Sequence, residues 1–278
     1  MRLAVAVACA TGCLSTPSTP PPTCTLRLLD ELVTNGDDVE SPWLSPDHLS
    51  IYVTVPPAQF ETAIAYATRA TADDRFGPLT IRTDLALPNG DNPDRFWLSP
   101  DELEIWIITS NPTYYARRAH ASDPFPPPTK VAGCAAMSVT ADALTAFYSR
   151  GDGPIRITTR ASRSQPFDFG GNDDLPSNLD ATQNTDSCAT DQTGATLYCA
   201  ISSTTDNANT LRIWQGTSGL PAYSQLAYYT FSELVAITPQ PTASDFDPML
   251  AADNRTLLFA SMRSPATGDN AEPWIYCE

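Results

Sequence analysis

The sequence predicts an all-β fold, a five-bladed β-propeller in which each blade is a four-stranded antiparallel sheet. The first observation is a repeated segment, which reads WLSPDHLSIYVTV at residues 43–55 and WLSPDELEIWIIT at residues 97–109. The second is the return of this segment in weaker form at residues 139–149, 189–202 and 250–261. The third is the spacing of the copies, which is close to the length of one propeller blade.

Each copy consists of a short apolar strand, a turn centred on an aspartate and a strand of high β-propensity. The intervals between successive turn aspartates are 54, 41, 49 and 62 residues, against about 40 to 50 for a blade. Such aspartates hydrogen-bond to their own turn backbone. We therefore expect a structural role for all five, which are Asp47, Asp101, Asp142, Asp191 and Asp253.

A six-bladed ring is the alternative, because the longest interval contains the extra apolar segment LAYYTFSELVAI at residues 226–237. That segment is too short for a complete additional blade. We interpret it as an enlarged fourth strand or a short helix of the fourth unit.

The first strand of the fold, TLRLLDEL at residues 25–32, has no strand of its own unit to pair with. The last unit ends after strands at residues 257–260 and 274–276, and so lacks a fourth strand. We predict that the N-terminal strand completes the last blade. This closure would remove the exposed sheet edge that an open array leaves.

An arginine precedes a phenylalanine by seven residues in each of the first three units. An arginine at such a position can brace the outer hairpin by hydrogen bonds or by stacking on the aromatic ring. The fourth unit carries Gly216 in place of the arginine, so its outer hairpin has diverged. The three pairs are Arg69 and Phe76, Arg118 and Phe125, and Arg160 and Phe167.

Three segments together resemble the WD40-like β-propeller repeats of TolB-like proteins and of many bacterial envelope lipoproteins. They are SPDxLxIYV, ASDPF at residues 121–125 and TRAS at residues 159–162. His48 and Glu102 stand where these repeats usually have a turn glycine. The resemblance covers residues 25–278 and implies an exported propeller that serves as a binding platform for a protein or peptide partner, with no family-wide catalytic residues.

The N-terminus predicts export. Residues 1–13 have the form of a lipoprotein-type signal segment, with Cys13 as the lipidation site and Cys9 as a second candidate; a plain secretory signal is the alternative. Residues 14–24 form a Ser/Thr/Pro-rich tether, and residues 25–278 form the propeller. We expect a monomer that is periplasmic or anchored to the outer membrane, or alternatively secreted.

The net charge of the chain excludes two classes of partner. A formal net charge of −16 repels phosphate backbones and anionic lipids, so we expect no nucleic-acid partner and contact with a membrane only through a lipid anchor.

The cysteines predict disulfides. No CxxC motif is present, and in an exported protein disulfides are a better interpretation than zinc. We predict the disulfides Cys188–Cys199, across the fourth turn, and Cys24–Cys277, between the chain ends, which leaves Cys134 as a buried thiol.

Acidic residues recur in the segments that lead from the outer strand of one unit to the inner strand of the next. These segments end near the central channel, so carboxylates from several blades are expected to converge at one mouth. We expect no cofactor, with calcium, which takes six to eight oxygen ligands, as the one candidate. The alternative is that each acid caps its own turn. The metal candidates are Asp38, Asp91, Asp94, Asp186, Asp245 and Asp247, and Glu40 belongs to the same set of acids.

No catalytic motif stands out. The two histidines, His48 and His120, lie in turns, and GTSGL at residues 216–220 lacks the setting of a nucleophile elbow. We therefore predict a non-enzymatic binding platform. The alternative is a carbohydrate-binding or carbohydrate-active propeller that uses the central carboxylates together with Trp43 and Trp97, which are otherwise expected to pack between blades.

Overall fold

Five antiparallel sheets stand around a central channel in the computed structural model, which describes residues 26–33, 38–56, 62–110, 112–131, 133–150, 153–171, 174–179, 183–203, 211–220, 227–234, 237, 243–263 and 270–277. Within each sheet the strands follow chain order from the inner strand outwards, except that the outermost strand of the last sheet comes from the start of the chain. The five-bladed prediction is confirmed, and the six-bladed alternative is wrong.

The first two blades each have four strands. Blade 1 contains β2 (Glu40–Leu44), β3 (Ser50–Val55), β4 (Ala63–Thr68) and β5 (Thr80–Ile81). Two short 3-10 helices, Thr83–Leu85 and Pro88–Gly90, lead to blade 2, which contains β6 (Arg95–Leu98), β7 (Glu104–Ile108), β8 (Thr113–Arg117) and β9 (Thr129–Val131).

Blade 3 differs from the prediction of four strands. Its described residues form three, β10 (Ala136–Val139), β11 (Thr145–Ser149) and β12 (Arg156–Thr159), with an isolated bridge from Arg156 to Asp174. Blade 4 contains β13 (Gln183–Thr190), β14 (Thr196–Ser203), β15 (Arg212–Thr217) and β16 (Thr230–Glu233). The extra apolar segment of the fourth unit therefore contributes β16, the blade's fourth strand.

Blade 5 is completed by the start of the chain, as predicted. It contains β17 (Asp245–Leu250), β18 (Thr256–Ser261) and β19 (Glu272–Cys277), and its outermost strand is β1 (Arg27–Leu28). In the antiparallel register of β1 and β19, Arg27 lies opposite Ile275 and Leu28 opposite Trp274. The ring is thus closed by strand pairing between the two ends of the fold.

The hydrophobic core is divided into five clusters, one between each pair of neighbouring blades. Ile51 of blade 1 and Leu258 of blade 5 belong to the cluster that seals the ring, together with Leu29 and Leu32, which follow β1 and are fully buried. The other four clusters join blades 1 and 2, 2 and 3, 3 and 4, and 4 and 5. Because apolar burial is the main stabilising term in folding, the blades depend on one another for stability.

The turn aspartates have the expected structural role. Asp47 Oδ1 accepts hydrogen bonds from Ser45 Oγ at 2.6 Å and from the Leu49 N–H at 3.0 Å, and the other four accept equivalent bonds within their own turns. The following residues His48 and Glu102 have φ of 62° and 56°. The turn therefore keeps the left-handed conformation that favours glycine, although neither residue is glycine.

The three predicted arginine–phenylalanine pairs are confirmed, and each arginine both stacks and donates hydrogen bonds. The guanidinium carbon lies 4.4, 4.3 and 4.5 Å from the ring centroid in the three successive pairs. Each arginine Nε also donates to a carbonyl of the preceding turn, such as His48 O for Arg69 at 2.7 Å. In blade 4 a side chain at Gly216 would collide with the ring of Phe231, which explains the divergence there.

The predicted Cys188–Cys199 disulfide is present, with the two residues directly opposite each other on β13 and β14 and their Cα atoms 4.0 Å apart. Cys134 is a buried free thiol, and burial raises its pKa to about 12. Cys13 and Cys24 lie outside the described residues, so neither lipidation nor the Cys24–Cys277 pairing is tested. No helix among the described residues has the length and apolarity to span a bilayer.

Candidate functional site

An open cleft lies at the mouth of the channel where the inner strands begin. It has a volume of about 430 Å³ and is lined by Glu40, Thr62, Pro93, Asp94, Arg95, Ser110 and Phe246. Glu40, Asp94 and Phe246 each stand seven residues before the turn aspartate of their blade. Three of the residues that line the cleft, which we call the acidic cleft, therefore occupy the same position of the repeat in blades 1, 2 and 5.

The floor of the acidic cleft is an arginine held between two aspartates. Arg95 Nε donates to Asp247 Oδ1 at 2.5 Å, and Nη2 donates to Asp186 Oδ2 at 2.6 Å. Its Nη1 reaches the Ala135 carbonyl at 3.3 Å, and Ser41 Oγ donates to Asp247 Oδ2 at 2.7 Å. We call these five residues the Arg95 hub; they come from, or directly precede, the inner strands of all five blades.

Three β-bulges turn side chains into the Arg95 hub. The inner strands of blades 1, 4 and 5 each shift register where Ser41, Asp186 and Asp247 lie. Ser41 and Asp247 have φ of 48° and 51°, in the left-handed region that is uncommon for residues other than glycine. A bulge places an extra residue on one strand and re-aims its side chain, which explains how Ser41, Asp186 and Asp247 come to point into the channel.

Glu40 is the most perturbed acid of the cleft. Its partial burial, reinforced by the negative charges of Asp247 and Asp38, raises its pKa to about 7, while Arg95 acts in the opposite direction. Asp94, the second acid of the cleft, accepts a hydrogen bond from Ser110 Oγ at 3.0 Å. A carboxyl group that is half protonated at neutral pH can both donate and accept a proton.

Three of the metal candidates are engaged elsewhere. Asp245 forms a buried ion pair with Arg263 and accepts a hydrogen bond from Ser261 Oγ. Asp91 accepts a hydrogen bond from the Tyr114 hydroxyl, and Asp38 accepts one from a backbone N–H at 2.6 Å. None of these partners lies in the turn of the acid itself, so the contacts correspond neither to a calcium ring nor to the turn-capping alternative.

Asp186 and Asp247 do converge at the channel, but the position between them is taken by Arg95. Arg95 was not predicted from the sequence, because the segment that contains it stands out only by its acidic residues, such as Asp94. Within the described ranges, no group of three or more histidine, cysteine, aspartate or glutamate side chains is arranged to hold a metal ion. Calcium binding stays a prediction without a defined site.

The two tryptophans do not line the acidic cleft. Trp43 and Trp97 are 4% and 9% exposed and pack between blades 1 and 2 and between blades 2 and 3. The packing interpretation is therefore confirmed, and the aromatic side chain of the cleft is Phe246. Beneath the Arg95 hub lies a cavity of about 90 Å³ that all five inner strands line, and Arg95 borders both spaces. Both tryptophans also border this smaller cavity of the channel.

The structure is a five-bladed β-propeller with an acidic cleft at one end of its central channel. No protein-family model matches the chain, and no curated protein matches it in sequence. The predicted WD40-like resemblance is thus supported only at the level of the propeller fold.

Solved structures share the fold over most of the chain. A GH43_1 enzyme from Xanthomonas citri is 15% identical, with a TM-score of 0.59, 92% of this chain covered and 91% of that chain. The catalytic domain of the GH62 α-L-arabinofuranosidase of Coprinopsis cinerea is 10% identical, with a TM-score of 0.54 and coverages of 86% and 90%. A putative TolB from Agrobacterium tumefaciens is 14% identical, with a TM-score of 0.46 and coverages of 82% and 72%.

These comparisons contradict the prediction that the protein is not an enzyme. Several of the solved structures that share the fold are glycoside hydrolases or other enzymes. The prediction relied on the lack of a sequence motif, and a carboxyl pair brought together by different blades would leave no contiguous motif.

Proposed function

We propose that the chain is a carbohydrate-active propeller that binds a saccharide in the acidic cleft and cleaves a glycosidic bond there. The observation that carries the proposal is Glu40, an acid whose pKa of about 7 keeps it partly protonated at neutral pH, in the same cleft as Asp94. Glycoside hydrolysis uses two carboxyl groups, one of them with a raised pKa. The fold shared with GH43 and GH62 hydrolases adds support.

The two acids have complementary roles in the proposed reaction. Glu40 donates its proton to the glycosidic oxygen as the bond from that oxygen to the anomeric carbon breaks. Asp94 accepts a proton from a water molecule, whose hydroxyl group bonds to the anomeric carbon. Each group then exchanges a proton with solvent to restore the starting state, as expected for an inverting mechanism.

The remaining cleft residues suit the recognition of a sugar. Phe246 offers a partly exposed aromatic surface, and such surfaces combine apolar contact area with a defined geometry. Thr62 and Ser110 supply hydroxyl groups beside it. The volume of about 430 Å³ lies within the usual size range of small-molecule sites, and the mainly polar lining suits a ligand rich in hydroxyl groups.

The test is hydrolysis of a panel of 4-nitrophenyl glycosides that includes α-L-arabinofuranosides and β-xylosides, and of the corresponding oligosaccharides. We expect turnover that falls by at least about 100-fold in Glu40→Gln and Asp94→Asn. Asp73→Asn, which removes one charge at an exposed site far from the cleft, is the matched control and should keep full activity. Neither hydrolysis nor binding of any saccharide by the wild-type protein would refute the proposal.

Export to the cell envelope is also proposed, on the basis of the N-terminal pattern around Cys13 and of the Cys188–Cys199 disulfide, since disulfides persist in oxidising compartments. Metabolic labelling with a fatty-acid analogue tests the anchor. We expect labelled protein from the wild-type gene and none from Cys13→Ser; label retained in that variant would point to Cys9. A peptide or protein partner in the envelope stays a prediction.

A further inference from the structure

The Arg95 hub is linked to the acidic cleft by adjacent positions in the chain and by side-chain hydrogen bonds. Glu40 immediately precedes Ser41, whose hydroxyl donates to Asp247 and, at 3.4 Å, to the Asp94 carbonyl. Asp94 immediately precedes Arg95. Each acid of the cleft is therefore the chain neighbour of a hub residue, so any movement of the hub moves both acids.

Hydrogen bonds from several blades hold the residues of the hub in fixed positions. Arg95 has three acceptors from three other blades, and charge-assisted bonds to carboxylates are about twice as strong as neutral hydrogen bonds. Asp186 is further held by Ser187 Oγ at 3.2 Å, and that same hydroxyl accepts the Asp247 N–H at 3.1 Å. The left-handed backbone at Ser41 and Asp247 persists because these bonds compensate its cost.

We propose that the Arg95 hub is the positioning device of the cleft: it holds Glu40 and Asp94 at the mouth and sets the charge that Glu40 faces. This inference rests on the proposed function for the roles of Glu40 and Asp94. The effect of the hub charges on the pKa of Glu40 does not depend on that function. Arg95, Asp186 and Asp247 act through Glu40 and Asp94, and are positioning residues in this sense.

Four charged groups act on Glu40, namely Asp38, Asp94, Arg95 and Asp247. Asp247 raises the pKa of Glu40, and Arg95 lowers it. Removing the charge of Asp247 takes away a negative neighbour and also leaves Arg95 with one anionic partner instead of two. Both changes lower the pKa of Glu40, so the direction of the effect is fixed by the geometry.

The experiment is carbon-13 NMR titration of the full-length protein labelled at the glutamate carboxyl carbons, with Glu40 assigned by comparison with Glu40→Gln. We expect a midpoint near pH 7 in the wild-type protein, and a midpoint about one pH unit lower in Asp247→Asn. The asparagine carbonyl can still accept the hydrogen bond from Arg95, and its amide group can donate to the Ser41 hydroxyl. Asp73→Asn, with the same loss of charge at a distant exposed site, should leave the midpoint unchanged.

An unchanged midpoint in folded Asp247→Asn overturns the proposal, as does a shift to higher pH. If that variant does not fold, Asp186→Asn tests the same point, because it too removes one anionic partner of Arg95 and should lower the midpoint. The titration needs no saccharide, so it can succeed where the proposed hydrolysis fails. Where hydrolysis is observed, the alkaline limb of its pH profile should move by the same amount as the midpoint, since the general acid must be protonated.

Discussion

Replacing Arg160 by methionine will destabilise the fold more than the same replacement of Arg69. Both guanidinium groups stack on a phenylalanine, at 4.5 and 4.4 Å, and both Nε atoms donate to a turn carbonyl at 2.7 Å. Arg160 differs in also donating to Glu104 Oε2 at 2.6 Å, and both of these side chains are buried. The two arginines therefore share the stacking and the turn contact, and Arg160, the more buried of the two, adds a buried ion pair.

The magnitude follows from these contacts. Loss of the stacking is worth about 0.5–1 kcal/mol, and each lost hydrogen bond to a carbonyl is worth about 1 kcal/mol, for either arginine. Breaking a buried ion pair by removing one partner costs about 3–5 kcal/mol. Arg163 Nε still lies 2.5 Å from Glu104 Oε1 and compensates part of this cost, so we expect Arg160→Met to exceed Arg69→Met by about 2–3 kcal/mol.

The assay is equilibrium unfolding in urea at pH 7, followed by tryptophan fluorescence and circular dichroism. Equal losses of unfolding free energy in the two variants would refute the role assigned to Glu104. A double variant, Arg160→Met with Glu104→Leu, supplies a further check, because replacing a buried ion pair by apolar side chains removes the unpaired charge. It should recover most of the excess loss.

Three further outcomes are expected. Because the folded-state pKa of Glu40 is about 7, above its ordinary 4.5, the wild-type protein loses up to about 3 kcal/mol of stability as pH rises from 4.5 to 7; urea unfolding of Glu40→Gln should show no such loss. Reduction of Cys188–Cys199 should cost about 2–3 kcal/mol, seen as a lower melting temperature in dithiothreitol, with no such effect in the double alanine variant. Leu29→Ala, which opens a cavity in the core that seals the ring, should cost about 2–5 kcal/mol in urea unfolding, whereas Leu220→Ala at an exposed site should cost less than about 0.5 kcal/mol.

The periodic features of the fold could be predicted from the sequence because each blade repeats them. The turn aspartates, the arginine–phenylalanine pairs and the closure by residues 25–32 all follow from comparing one unit with the next, and the structure confirms them. The fourth strand of blade 3 was predicted on the same basis and is not seen among the described residues. Repetition predicts the average blade, and individual blades depart from it.

The Arg95 hub could not be predicted in the same way, because it consists of differences between the units. Ser41, Arg95 and Asp247 each stand six residues before their turn aspartates, yet one is neutral, one cationic and one anionic. Their contact also depends on bulges in the inner strands, which shift register by one residue and reverse the facing of the side chains that follow. Alignment of the five units on their turn aspartates would have brought Arg95 and Asp247 to the same position, which is the signal that was available.

The direction of β1 determines how an attached protein would face its surroundings. The strand enters beside the end of β19 and runs towards the start of β19, where Val39 meets Ala271 before the chain reaches Glu40. Both ends of the fold thus emerge on the side of the ring opposite to the acidic cleft. An attachment made through the chain upstream of Leu26 and the opening of the acidic cleft would therefore lie at opposite ends of the channel, so such an attachment would not block the opening.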